Sequence, residues 1–136
     1  MEEEEKLNLE VVSPEKLILS KSVDMVTISG TEGDFGVLPG HAPIVSSIRP
    51  GILEIESNKE IQKMFIGGGF IEVLLDKVSI LATEVFSSED INISECENKI
   101  NEYNAKIGLS ETELNKESMR KSIDKYQAMI EFKDIN

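Results

Sequence analysis

Through the first two-thirds of the chain, apolar and polar residues alternate in short runs with period two; from Ser87 onward the apolar positions recur at helical spacing. Leu7-Asn8-Leu9-Glu10-Val11 puts every second side chain on one face, the pattern of a half-buried strand. Ser13-Pro14-Glu15 turns the chain into a second strand over Lys16–Ser20, and the β-branched run Val23–Ser29 predicts a third. Gly51–Glu56, Ile61–Ile66, Phe70–Leu75 and Val78–Ala82 continue the series, with polar turns at Ser57–Glu60 and Asp76-Lys77. Short strands with turn signals about every 8–12 residues, and no long helical window between them, predict an antiparallel sandwich or barrel.

Between the third and fourth runs lies Gly30–Gly51, which holds five of the nine glycines, three of the four prolines and the only histidine. Glycine supplies backbone angles with φ > 0, while proline fixes φ and withholds an N–H. The stretch is therefore predicted to be a tightly turned excursion, neither helix nor regular central strand. Phe35, Val37, Leu38, Ile44, Val45 and Ile48 make it too apolar for a floppy linker. Ordered loops of this kind often carry function. The triple glycine Gly67-Gly68-Gly69 sits between two strands, opens no helix and lacks the Lys-Ser/Thr of a phosphate-binding loop. A bulge or a close approach of two backbones is expected there.

Cys96, Ile100, Tyr103 and Ile107 follow i, i+4, i+7 and i+11, one stripe of a helix, with Gly108 placed to end it. Ser110 and Glu113 have the spacing of a capping box, and Leu109 with Leu114 that of a hydrophobic staple. They open a second helix whose stripe is Met119, Ile123, Tyr126 and Ile130. The expected fold is an N-terminal antiparallel β-sandwich over 1–86 followed by a C-terminal antiparallel helix-turn-helix hairpin over 87–136. Four apolar side chains per stripe bury little surface against the entropy of ordering two helices. Such a hairpin needs the sandwich or a partner to dock on, and it suits switching between states. A permanently packed helical tail is the alternative.

Composition narrows the function classes. A net charge of −12 argues against nucleic acid or an anionic lipid surface as partner, since both select Lys and Arg. Solubility is the simpler account of it, and a basic protein partner is the alternative. The lone cysteine, Cys96, excludes an internal disulfide, and its place on an apolar stripe fits packing better than reactivity. No run approaches the ~18 apolar residues that cross a bilayer, so direct membrane insertion is not expected. Met1-Glu2-Glu3-Glu4-Glu5 is unlike a signal or transit peptide.

Catalytic chemistry finds little support. A hydrolytic triad needs a base, and His41, held between Pro39 and Pro43, has no evident nucleophile beside it. One His and one Cys far apart in sequence make no metal site. Glu32 and Asp34 form a carboxylate pair on the central stretch, for which a solvated turn is the simpler reading. No catalytic residue, metal or cofactor is expected.

Gly30–Pro43 (GTEGDFGVLPGHAP), Arg49-Pro50-Gly51 and Phe65–Val73 (FIGGGFIEV) together resemble the epsilon subunits of bacterial F-type ATP synthases. The resemblance runs from Val11-Val12-Ser13-Pro14-Glu15 to Leu81-Ala82 and weakens after residue 87. It implies a β-sandwich that binds the gamma subunit on one side and the loops of the membrane c-ring at one end, with Glu32, Asp34 and His41 facing the ring. His41 capping its own turn is the alternative. It further implies a helical hairpin that can extend along gamma, meet the catalytic alpha and beta subunits, and restrain hydrolysis. Arg120, Lys121 and Lys125 would then face acidic catalytic subunits, or else form a solvated face. Some bacterial members bind ATP through a hairpin motif with Asp, Arg and Ala where this chain has Asn92, Glu95 and Cys96. An anionic Glu95 in place of a cation repels phosphate, so ATP binding by that route is not expected. The implied place is the cytoplasmic face of a bacterial inner membrane, held peripherally. A free-standing regulatory or adaptor module with the same two parts is the competing class.

Overall fold

The computed structural model describes residues 6–30 and 33–135, so Glu2–Glu5 and the candidate Glu32 lie outside the described residues. The chain divides into two compact units, Met1–Val85 and Phe86–Asn136.

The first unit contains β1 (Leu7–Val12), β2 (Leu17–Val23), β3 (Met25–Gly30), β4 (Gly33–Val37), β5 (Ile44–Ile48), β6 (Gly51–Ser57), β7 (Glu60–Ile66), β8 (Gly69–Val73) and β9 (Lys77–Ala82). A short strand, β10 (Val85–Phe86), falls at the boundary. Hydrogen bonds join the strands in the order β7-β6-β3-β5-β8-β9-β1-β2, with β4 on β3. Among the described residues, a single register pair, Gly30 with Ile48, links β3 to β5. The path is therefore two sheets, β2-β1-β9-β8-β5 and β7-β6-β3-β4, meeting at that corner. All these ladders are antiparallel except β1 with β9, which is parallel.

The alternation read from sequence fixes which side chains face inward. Leu7, Leu9 and Val11 of β1 and Val78, Ile80 and Ala82 of β9 are buried, as are Leu53 and Ile55 of β6 facing them from the other sheet. Fully burying each such side chain is worth about 1.5–3 kcal/mol. The central stretch departs from expectation. It is not an irregular excursion, because Gly33–Val37 and Ile44–Ile48 pair as β4 and β5, and among the described residues 38–43 and 49–50 remain as connections. Glycine and proline mark the ends of these strands, where local reading gave them the whole segment.

The triple glycine is a close approach of two backbones. Gly69 has φ +141°, and a Cβ there would sit 2.0 Å from Leu81 O. Around it, Gly67 N–H donates to Glu84 O (2.8 Å) and Thr83 N–H to Gly68 O (2.9 Å). The chain also crosses between sheets at Asp24. Lys6 donates to Asp24 Oδ1, and Asn58 N–H donates to Oδ2 at 2.8 Å. These donors, Lys6 first, hold the Asp24 carboxyl below its ordinary range.

The second unit has a short 3-10 turn at Ser88–Asp90, then α1 (Ile93–Leu109) and α2 (Glu113–Ile135). The inter-helix details correct the sequence reading. Gly108 lies inside α1, and Ser110 is its C-cap residue. The capping role falls to Thr112, whose Oγ1 accepts from Asn115 N–H at 3.3 Å, not to Ser110. Leu109 and Leu114 form no staple: they are 84% and 79% exposed. Cys96 and Ile123 are buried as expected, and Tyr103 stacks on Tyr126 with centroids 6.3 Å apart. Met129 and Phe132, outside the predicted stripe, are buried as well.

Candidate partner-binding surfaces

The register places the residues singled out on the central stretch at two different ends of the sandwich. Asp34 opposes Ser29, one step from the Gly30–Ile48 corner, and its Oδ1 accepts from Arg49 Nη2 at 2.7 Å. Both side chains are exposed, so the pair is worth under about 1 kcal/mol, yet it partly neutralises the carboxylate. His41 lies in the 38–43 connection, which is tied to the β8–β9 turn by Gly40 N–H donating to Leu75 O at 2.9 Å. That turn is at the Ile44–Val73 end of the β5–β8 ladder, whereas the corner is at the Ile48–Gly69 end. Four residues of strand, about 13 Å, separate them. His41 Nδ1 lies 2.6 Å from Ala42 O, a hydrogen bond when Nδ1 carries the proton and donates. Asp34 and His41 therefore do not share one tip.

A surface that the sequence reading passed over lies on the outer side of the β5–β8–β9–β1 sheet. Phe70 and Leu81, 57% and 56% exposed, are opposite one another across β8 and β9. Leu81 in turn faces Val12 on β1, and Val12 faces Leu17 at the start of β2. Val45 on β5 adds a side chain 71% exposed. A shallow, mainly apolar groove runs along this row, lined by Val12, Pro14, Gly69, Phe70, Leu81 and Thr83. Contiguous exposed apolar side chains of this kind mark an interaction site more often than an isolated exposed leucine does.

On α2 the three basic residues do not form one stripe. At about 100° per residue, Arg120, Lys121 and Lys125 spread over about 140° of the helix. Arg120 is 4.0 Å from Glu113, and Lys125 sits over the Tyr126 ring at 4.6 Å. At the start of α1, Asn92 is the N-cap and accepts from Glu95 N–H at 3.1 Å, while Lys133 donates to Ser88 O at 2.9 Å. Glu95 is exposed there. Burial, reinforced by Glu95 and Glu97, pushes the Cys96 thiol up, so it stays protonated at neutral pH. Among the described residues, no three His, Cys, Asp or Glu side chains gather to hold a metal, and no helix is long and apolar enough to cross a membrane.

Residues 6–88 match the family described as ATP synthase, Delta/Epsilon chain, beta-sandwich domain. The chain is 35% identical to the ATP synthase epsilon chain of Maricaulis maris, over 92% of this chain and 94% of that one. It is 43% identical to the epsilon chain of Parvibaculum lavamentivorans over 71% of this chain and 74% of that one. Among solved structures, a chain of the Euglena gracilis mitochondrial ATP synthase (OSCP/F1/c-ring) superposes with a TM-score of 0.81 at 27% identity, covering 93% of this chain and 80% of that one. A chain from the central stalk and c-ring of the Tetrahymena thermophila mitochondrial enzyme shares the fold, with a TM-score of 0.72 at 12% identity over 97% and 99% of the two chains.

Proposed function

The chain belongs to the epsilon chains of F-type ATP synthases, and from that membership we propose that it is a non-catalytic central-stalk subunit. Its work is mechanical: residues 1–86 join the ion-driven membrane ring to the gamma shaft, and residues 87–136 restrain ATP hydrolysis. It sits peripherally at the cytoplasmic face of a bacterial inner membrane.

The observation that carries this reading is the outer apolar row Val12–Leu81–Phe70, with Val45 two residues off it on the same face, opposite Glu72. An isolated sandwich has no use for four such side chains in water, whereas a subunit clamped to gamma buries them. The ring contact falls to the corner that carries Asp34 and, in sequence, Glu32. Asp34 already has Arg49 as a partner, so this contact supplies register and orientation more than affinity. His41, at the other end of the ladder, is outside it. In the hairpin, Lys121 and Arg120 are the cations that an acidic surface of the catalytic subunits would meet. Lys125 leaves Tyr126 to do the same.

The parent ATPase, purified with full-length protein, with Phe70→Lys, or with a chain ending at Ser87, tests each part. Full-length protein co-purifies. Phe70→Lys keeps its thermal midpoint, because Phe70 is exposed, but occupies the complex at least tenfold less. The shortened chain assembles, and hydrolysis speeds up. Normal assembly of Phe70→Lys removes the outer face from the interface, and equal hydrolysis rates remove the brake. Failure of the full-length chain to associate with any ATPase overturns the reading.

A further inference from the structure

The outer face of the β5–β8–β9–β1 sheet carries two parallel rows, and they differ in character. Ser47, Phe70, Leu81 and Val12 follow one another across the four strands. Two residues along each strand, Val45, Glu72, Ser79 and Glu10 form the second row in the same order. A step of two residues keeps side chains on one face and moves them about 7 Å. Glu72 and Glu10 flank Ser79, about 10 Å apart across two strand spacings. Glu72 is exposed and has no ion-pair partner among the described residues. Glu10 has a long contact with Lys77 Nζ, 3.8 Å, and both of those side chains are more than a third exposed. Toward the corner, the apolar row is bordered instead by Pro14 and Thr83, and by Arg49, which Asp34 holds at 2.7 Å. The apolar row thus has carboxylates along one flank and uncharged or ion-paired side chains along the other.

We infer that this face selects a basic protein surface: the neighbouring stalk subunit presents an apolar ridge bordered on one side by lysine or arginine side chains that meet Glu72 and Glu10. The inference rests on the stalk-subunit reading, because that reading supplies the neighbour. An apolar row alone is met nearly as well from either direction, since burial follows area and has no direction of its own. Charge on one flank removes that ambiguity. A reversed partner would set its cations over Pro14 and Thr83 and leave Glu72 against apolar surface. A second copy of this chain does not fit, because at a net charge of −12 it would bring more carboxylates to the same place. An anionic lipid surface fails for the same reason.

Binding of the full chain to the parent ATPase from which it has been removed, at about 50 mM and about 500 mM salt, reads the charged row apart from the apolar one. Glu72→Lys should keep the thermal midpoint, because Glu72 is exposed. It should bind about tenfold more weakly at low salt, the deficit shrinking to under about threefold at high salt. Glu72→Gln should fall between it and the wild type. Phe70→Ala should weaken binding by a similar factor at both salts, because apolar burial is not screened. Glu60→Lys, the same charge change on β7 of the other sheet, should bind like the wild type. If Glu72→Lys binds no worse than Glu60→Lys at low salt, no cation stands opposite and the inference falls, while the Phe70→Ala deficit keeps the stalk reading. A Glu72→Lys deficit equal at both salts is steric and also overturns the inference. Tighter binding by Glu72→Lys assigns an acidic partner to the flank, with the same consequence. If the wild-type chain does not bind, the stalk reading falls and takes this inference with it.

Discussion

Replacing Gly69 by alanine measures how tightly the corner of the sandwich is closed. At φ +141° the backbone is in a region that L side chains rarely adopt. The added Cβ lies 2.0 Å from Leu81 O, 3.0 Å from Leu81 C and 3.1 Å from Ala82 Cα. All three are backbone atoms of β9, so no rotamer change relieves the contact. The β8 and β9 strands must part where Gly69 pairs with Ala82. The strained φ costs about 1–3 kcal/mol, and displacing packed neighbours costs about 1–3 kcal/mol more. The sum, about 4 kcal/mol, is a large share of the ~5–15 kcal/mol that holds a domain folded. Two other glycines calibrate it. Gly40 has φ +83° with nothing within 4 Å of its added Cβ, so Gly40→Ala carries the strain alone, about 1 kcal/mol. Gly108 also has open space and lies inside α1, so Gly108→Ala stabilises the hairpin by about 1 kcal/mol. Urea unfolding followed by circular dichroism separates the three. With a slope of about 1–1.5 kcal/mol/M, the midpoint falls by about 3 M for Gly69→Ala and by under about 1 M for Gly40→Ala. In Gly108→Ala the helical signal persists to higher urea. A Gly69→Ala midpoint no lower than that of Gly40→Ala would refute the backbone-approach argument.

Phe132→Ala removes a ring that is 1% exposed and should cost about 3–5 kcal/mol, melting the helical signal early; a loss under about 1 kcal/mol would show the site collapsing without penalty. Asp24 has its folded pKa depressed, first by the Lys6 hydrogen bond and then by Asn58 N–H. Its stabilisation is therefore complete above the ordinary carboxylate value near 3.8 and is lost as pH falls through the lower folded value. Asp24→Asn should thus melt below wild type at pH 7, and the gap should close toward pH 2; a gap that stays constant across that range contradicts the linkage. Calorimetric titration of the isolated chain with ATP should show no binding at sub-millimolar concentration, because Glu95 is an exposed carboxylate at the start of α1 and repels phosphate there; sub-millimolar affinity sinks that argument.

The strands were legible because their alternation is local. Leu7-Asn8-Leu9-Glu10-Val11 declares its buried face without knowledge of its neighbours, and Ser57–Glu60 declares a turn whose central residues, Asn58 and Lys59, do take positive φ. The central stretch was misread because its glycines and prolines are true breakers but sit at strand ends. A five-residue strand such as β4, containing Gly36, has too few apolar positions to assert itself locally. The parallel pairing of β1 with β9 joins residues about seventy positions apart and leaves no local trace. At the hairpin turn the local capping logic chose Ser110 over Thr112. Both are competent caps, and the choice depends on where α1 ends, which Gly108 signalled too early.

The candidate surface was written in the sequence in a form that strand periodicity alone does not read. Successive side chains in a strand point to opposite faces, so two adjacent apolar residues put one outside. Val11-Val12, Phe70-Ile71 and Ile80-Leu81 are such doublets. In each, one member is essentially fully buried (Val11, Ile71, Ile80), while Val12 is half-buried and Phe70 and Leu81 are more than half exposed. A doublet by itself shows only a surplus apolar side chain, which is common on protein surfaces. What makes a surface is the register, which sets Val12 opposite Leu81 and Leu81 opposite Phe70, so that three separate surpluses become one row. The loop motif points to Asp34 and His41, yet the β3–β4 and β5–β8 registers set those two residues toward opposite ends of the sandwich, and neither lies on the row. A doublet in each of three strands says that a face is too apolar for water, and only the ladder says that it is the same face.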